Sequence, residues 1–432
     1  MFKKLMLPVL TFGIVLVMSI TAFAEGWAQD GSNWIYYDEN NNKVYNAWRK
    51  GADDKWRYLG SNGVMVTSSI VDSVYYVNSE GIMAASVWKQ ITDSEGTYWY
   101  YFLDDGKMVQ GCWKDINNKR YYFDDEGKMQ TGWVDDDMYY CDTDGHMLTG
   151  WNKLPDSEDK STDCPSGKDG ASSHWYYLQS SGKKIEPSNS DFAEKTVEGK
   201  RYCFDENGAM VTGWVNISGE DNISGYKYFN TDGTVRTGWY SLNPPEDLAD
   251  NYAASVVWFY FSSTGAVTRS DGSSFTTSDI KRINSKRYLF DSNGTPVYGL
   301  AQVSGETYYF GTEKQCTAQK GEMSITEDDG TKSTFYFAES GQGVTGVKNH
   351  DLFYKGKLVK AETGTRYQTF RVNGNLYLVN QSGQIQRSKT KVKDTDGTYW
   401  TTNASGIVTK EDDSTSGFHE TGDLPDIEFP DR

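Results

Sequence analysis

The stretch KRYYFDDEGKMQTGW, residues 119–133, decides the fold, because its marks return in the same order along the chain. Counted from Gly127, Tyr122 stands at minus five, Met129 at plus two and Trp133 at plus six. The next copy, MYYCDTDGHMLTGW at residues 138–151, repeats them as Tyr140, Gly145, Met147 and Trp151. Weaker copies keep the register, with Cys203, Gly208, Met210 and Trp214 and then Tyr228, Gly233, Val235 and Trp239. A unit of roughly 20 to 30 residues is too small to bury a core alone, so many copies predict a stacked array.

Within each copy an aromatic strand, an acidic turn ending in Gly and a second strand ending in Thr-Gly-Trp read as one β-hairpin. DDEG, DTDG, DENG and NTDG place Asp or Asn ahead of a Gly that can take positive φ, which suits a tight reversal. An isolated hairpin is marginal in water and must stack to be stable. The expected fold is therefore all-β, an elongated β-solenoid of stacked β-hairpin repeats running from about residue 30 to 409, with roughly fifteen units.

These residues resemble the cell-wall-binding repeats of Gram-positive secreted proteins, a family that includes choline-binding modules, glucan-binding repeats and the repeat domains of clostridial toxins. The resemblance covers most of the mature chain. It is carried by the strands at 99–101, 121–123 and 175–177, by Gly-Lys-Met at 106–108 and 127–129, and by Thr-Gly-Trp at 131–133, 149–151, 212–214 and 237–239. The resemblance implies ligand sites built from these tryptophans, a strand aromatic and a Met. The first such set is Trp113, Tyr122, Met129 and Trp133; the second is Trp133, Tyr140, Met147 and Trp151; the third is Trp214, Tyr228 and Trp239. Converging ring faces attract a quaternary ammonium, and a flat ring equally suits the apolar face of a sugar.

Two functions stand side by side on this reading. One is a non-catalytic secreted surface protein that binds choline-decorated teichoic acid or a cell-wall polysaccharide, held to the wall without a covalent link. The other is an adhesin or toxin-like module that binds host or extracellular glycans. The Met recurring at plus two favours choline, whereas Arg120, Met138 and Arg201, standing ahead of the Tyr pairs, favour the glycan branch.

The rest of the composition bounds the chain. Residues 1–24 carry Lys3 and Lys4, an apolar run and Ala22-Phe23-Ala24, the pattern of a cleaved signal peptide, and no transmembrane segment is expected in the mature chain. Its loss takes the formal charge from −17 to −19, since it holds two lysines and no acid, and so acidic a chain is no partner for nucleic acid. Residues 25–258 form a Trp-rich repeat region and 259–409 a Trp-poor region of the same fold, with Leu300 and Val347 where the ring stood. Residues 410–432 read as an acidic, disordered tail. Five cysteines are odd in number and lack paired spacing, so they give no disulfide framework; Cys141 and Cys203 replace strand aromatics and read as small packing groups. The four histidines lie apart from any metal spacing or nucleophile, and acids such as Asp124 and Asp125 recur in turn after turn of the regular copies. No catalytic residue, metal or cofactor is expected.

Overall fold

The computed structural model describes residues 25–272 and 274–430, so the leader expected at 1–24 lies outside the described residues. The chain is nearly all-β, 42% strand and 4% helix, and is built of repeated hairpins. Its described residues form two compact units, residues 25–160 with 171–185 and residues 161–170 with 186–430. Residues 161–170 belong to the second unit because they dock on its turn at 205–208. The Ser166 N–H donates to Asp205 at 2.9 Å and the Asn207 side chain donates to the Ser161 carbonyl at 3.0 Å. Hairpins continue past residue 258, where the tryptophans thin out.

The pairing corrects the expected hairpin. The aromatic strand pairs chiefly with the Trp strand that precedes it: Cys112–Ile116 with Lys119–Phe123, Gly132–Val134 with Tyr139–Cys141, and Gly213–Asn216 with Tyr226–Phe229. Across the glycine turn there is only a single bridge, such as Phe123 to Met129 or Cys141 to Met147. Several of the reversals that make the hairpins are two-residue loops with positive φ at both positions, as at Asn117 and Asn118 (52° and 63°) or Asn284 and Ser285 (48° and 69°), while others are longer, such as residues 135–138 and 217–225. That left-handed pair matches the right-handed twist of the flanking strands.

The core lies at minus four, one residue beyond the Tyr mark. Leu59, Val77, Phe102, Phe123, Cys141, Leu178, Phe204 and Phe229 occupy this position and are fully buried. Successive strand residues face opposite ways, so burying minus four turns the Tyr at minus five to the other face.

The plus-two residue joins one hairpin to the last. The Met129 N–H donates to the Trp99 carbonyl at 2.8 Å, and the Met147 N–H to that of Arg120 at 2.9 Å. Its side chain lies under the turn glycine of the following copy. A Cβ on Gly145 (φ +81°) would sit 2.5 Å from Met129 Sδ, and one on Gly182 (φ +87°) 2.3 Å from Met147 Sδ. The glycine is thus demanded twice, by a backbone conformation that disfavours a Cβ and by the lack of space for one.

Within the second unit two larger sheets appear. Gly321–Thr326, Lys332–Phe337, Lys357–Val359, Asp351–Tyr354 and Gly346–Lys348 form five strands in that order, and Val392–Lys393, Tyr399–Thr402 and Val408–Glu411 form three. The end of the chain, expected to be solvated, packs against them. Leu424 joins the cluster of Leu352, Val359 and Phe370, while Ile427 and Phe429 join that of Ile325, Phe335 and Phe337. Thr421 and Thr369 exchange hydrogen bonds, Glu420 pairs with Arg371, and Lys357 donates to the Asp426 carbonyl at 2.6 Å. Widely spaced apolar residues within an acidic stretch supply this packing.

Candidate functional site

Five strand tryptophans lie in direct cross-strand register with the Tyr at minus five of their own hairpins: Trp88 with Tyr101, Trp113 with Tyr122, Trp133 with Tyr140, Trp214 with Tyr228 and Trp239 with Tyr260. For four of them a second ring partner comes from the next hairpin, at minus six. Trp88 meets Tyr121 at 4.8 Å, Trp113 meets Tyr139 at 5.1 Å, Trp133 meets Tyr176 at 4.9 Å, and Trp239 meets Tyr288 at 5.0 Å. Several indole N–H groups also reach the following hairpin, Trp113 to Asp135 at 3.1 Å, Trp133 to the Pro155 carbonyl at 2.8 Å and Trp214 to that of Asn243 at 2.8 Å. The tryptophans are therefore stacking pins first, since edge-on ring pairs contribute about 0.5–1.5 kcal/mol each beyond their buried area.

This geometry regroups the residues expected to bind ligand. Trp113 and Tyr122 come together at 5.1 Å, Trp133 and Tyr140 at 5.2 Å, and Trp214 and Tyr228 at 5.3 Å. Trp151 meets Tyr177 of its own hairpin at 5.2 Å. Trp239 stands with Tyr260, Tyr288 and Phe290, apart from the Trp214 and Tyr228 pair. Met147 packs under Gly182, and Met129 belongs to a neighbouring set.

That set is a cavity of about 350 Å³ lined by Trp88, Trp99, Tyr121, Met129, Thr143 and Asp144. Trp88 and Trp99 are diagonal neighbours on one hairpin, their rings 6.3 Å apart and almost perpendicular. Tyr121 closes a third side from the next hairpin, and Met129 closes the fourth. Trp99 remains 43% exposed, which leaves a ring face free. The exposed carboxylate of Asp144 lies at the rim. Burial, with the charges of Asp142 and Asp144, raises the Tyr121 pKa and keeps its phenol neutral, and its OH lies 3.1 Å from His146 Nε2. Trp99, at minus seven, lies outside the minus-five, plus-two and plus-six marks from which the expected sets were drawn. The recurrence of Trp at minus seven, as Trp56, Trp99, Trp175 and Trp258, is the signal that marks it.

An acidic cluster borders this cavity. Asp142, Asp144 and His146 each offer a ligand atom within 4.8 Å of the others, but Asp142 Oδ1 already accepts the Asp144 and His146 N–H groups as turn acceptor. Asp124 does the same for Glu126 and Lys128, which accounts for the acidic pair as turn chemistry. A second cavity, of about 720 Å³, lies at the first junctions and is lined by Trp27, Trp34, Tyr36 and Met65 with Lys50 and Arg57. Here Arg57 takes the minus-six place of Tyr121 and is held by Asp53 in a fork of 2.8 and 2.9 Å.

The chain is thus a run of hairpins with ring-lined recesses at the Trp27 and Trp88 junctions. Residues 109–150 match the choline-binding repeat, and residues 88–108 and 168–184 match a putative cell wall binding repeat; these segments are repeats of the cell-wall-binding family. Glucosyltransferase-S of Streptococcus mutans is 25% identical over 374 residues, 78% of this chain and 22% of that protein. Glucosyltransferase-I of Streptococcus downei is 25% identical over 416 residues, 86% of this chain and 24% of that one. The chain thus spans about a quarter of the length of these relatives. Among solved structures, choline binding protein F from Streptococcus pneumoniae aligns at TM-score 0.33 and 21% identity, over 75% of this chain and 99% of that chain. The modular autolysin LytC from the same species, in complex with a synthetic peptidoglycan ligand, aligns at TM-score 0.32 and 22% identity, over 67% of this chain and 53% of that chain. No helix among the described residues is long and apolar enough to cross a membrane.

Proposed function

We propose that this chain is a non-catalytic, secreted surface protein that holds choline-bearing teichoic acid through ring-lined recesses between hairpins, and that it associates with the cell wall non-covalently. The observation that carries this reading is the recess of Trp88, Trp99, Tyr121 and Met129 with the Asp144 carboxylate at its rim. A trimethylammonium group has no N–H to satisfy, so ring faces and a thioether suit it where a primary ammonium would lose hydrogen bonds. Each ring contributes roughly 0.5–2 kcal/mol, and an acid at the rim adds attraction that a neutral sugar would not feel. Titration of the mature chain with choline, followed by intrinsic fluorescence, tests the reading. Trp99→Ala removes an exposed ring and should weaken binding roughly 2- to 30-fold, whereas Trp400→Ala removes a ring buried at 1% and bonded to Asp394. Unchanged choline affinity in a folded Trp99→Ala chain overturns it.

A glycan reading draws on the larger cavity. Trp27 and Trp34 offer ring faces there, and the Arg57 and Asp53 fork offers planar donors and acceptors of the kind that meet vicinal hydroxyls. Wall polysaccharide or a glucan that binds the chain, is not displaced by choline, and is lost in Trp34→Ala would favour this second ligand class. An adhesin or toxin-like role would use the same surface on host glycans.

A further inference from the structure

The Trp88 recess is defined by four places: the strand Trp of one hairpin, minus seven of that hairpin, and minus six and plus two of the next. In the Trp88 recess the last three are Trp99, Tyr121 and Met129. At the following junction they are Arg120, Tyr139 and Met147 around Trp113, and at the one after that Met138, Tyr176 and Lys184 around Trp133. In each of these two sets one wall is replaced by a cationic side chain. In each, that cation lies over the strand Trp of its own junction: the Arg120 guanidinium carbon 5.4 Å from the Trp113 ring centroid, and the Lys184 ammonium 5.3 Å from that of Trp133.

We propose that Arg120 and Lys184 are internal ligands, which occupy the cation positions of the Trp113 and Trp133 junctions and close them to an external quaternary ammonium. The inference rests on the proposed cation-binding reading of the Trp88 recess and sets which junctions take part. A tethered cation competes at high effective concentration, and an incoming ammonium would also meet a like charge at close range. Lys184 is only 9% exposed, so its ammonium cannot swing freely into water to make room. Its backbone is fixed as well, since the Lys184 N–H donates to the Met138 carbonyl at 2.8 Å, as Met129 does to Trp99. The same logic recurs in the second unit. Glu194 stands in register with Cys203 at the Trp place, Lys227 stands at minus six of the next hairpin, and the two form an ion pair of 2.6 Å. There both the ring and the recess have given way to paired charge.

The test opens the closed junctions with residues the chain already uses at the same places. Lys184→Met restores the plus-two Met, and Arg120→Trp restores the minus-seven Trp. Each variant of the mature chain is titrated with choline chloride by calorimetry, with sodium chloride matching the ionic strength throughout. Each substitution should raise the number of cholines bound per chain by one, and the double variant by two. An unchanged stoichiometry in chains whose melting temperature matches the wild type overturns the proposal. If Lys184→Met fails to fold, Lys184→Gln still vacates the Trp133 ring and should add the site, and no gain there overturns the proposal equally. The stoichiometry lost in Trp99→Ala reports separately on the Trp88 recess, since Trp48, Trp56, Tyr75 and Met83 fill the same four places at another junction. A wild type that binds no choline beside a Lys184→Met chain that binds one rejects that recess and keeps the internal ligand, while absence of binding in both rejects both.

Discussion

Gly145→Ala probes the contact that sets the repeat register. The added methyl has two consequences that can be separated within the same unit. Gly145 has φ +81°, a left-handed conformation that costs a non-glycine residue roughly 1–2 kcal/mol. Its Cβ would also lie 2.5 Å from Met129 Sδ, and forcing a methyl into packed space adds about 1–3 kcal/mol. Gly132 supplies the control, because its φ is +79° but nothing lies within 4 Å of a Cβ there. Gly132→Ala should therefore lose only about 1–2 kcal/mol, and Gly145→Ala roughly 2–5 kcal/mol. Urea unfolding of the mature chain, followed by tryptophan fluorescence and circular dichroism together, gives the difference. Placing both substitutions in a Met129→Ala background should bring the Gly145 loss down to that of Gly132, since the clash partner is gone. Equal losses for the two glycines in the native background, or a Gly145 loss indifferent to Met129, would refute the stacking contact as the reason for the glycine.

Two further outcomes follow from burial. Burial pushes the thiols of Cys141 and Cys203 up to about 12, with Glu194 and Asp205 adding to the rise at Cys203. Iodoacetamide at pH 8 should therefore label the exposed Cys112 in the folded chain and reach Cys141 and Cys203 only after unfolding, and labelling of all three in the native state contradicts the packing. Because the unfolded thiols ionise near 9.0 and the folded ones near 12, their stabilising contribution is complete below pH 9 and declines as pH rises between those values. The loss is roughly 1.4 kcal/mol per thiol per pH unit, so the denaturation midpoint of Cys203→Ala should fall less steeply above pH 9 than that of the wild type. Truncation after residue 416 removes Leu424, Ile427 and Phe429 from two core clusters and should destabilise the second unit by roughly 3–6 kcal/mol, read as a lower calorimetric transition; an identical thermogram contradicts the docked tail.

The turn glycines were legible because positive φ leaves a residue signature, with Asp or Asn ahead of Gly at 127, 145, 208 and 233. The hairpin partner was not, because in the copies that set the register the hairpin loops lack that signature. Asn117 with Asn118, Asn349 with His350, and the run Asp135, Asp136 and Asp137 all take positive φ without a single glycine. The acidic glycine turn therefore looked like the hairpin loop, and the pairing was assigned to the wrong side of it. The same slip explains the site. Spacing along the chain puts Trp113, Trp133 and Trp151 in a row, whereas pairing each Trp strand with the aromatic strand after it brings Tyr121, Tyr139 and Tyr176 of the next hairpin to Trp88, Trp113 and Trp133.

Once those places are fixed, residue type at each becomes interpretable where composition alone was silent. Arg120 ahead of its Tyr pair read as a hint toward sugar, yet in place it lies over the Trp113 ring, and Lys184 at a Met place lies over that of Trp133. Glu194 with Lys227 shows the limiting case, in which a junction loses its rings and keeps only charge that neutralises itself. A chain with net charge −17 would attract cations weakly everywhere, so on the proposed cation-binding reading selectivity comes from which ring faces remain uncovered. Met129 shows how little separates the two states. At plus two it caps an open recess and locks the glycine of the next turn, and a cationic side chain at that same place, as at Lys184, keeps the backbone link while covering the ring.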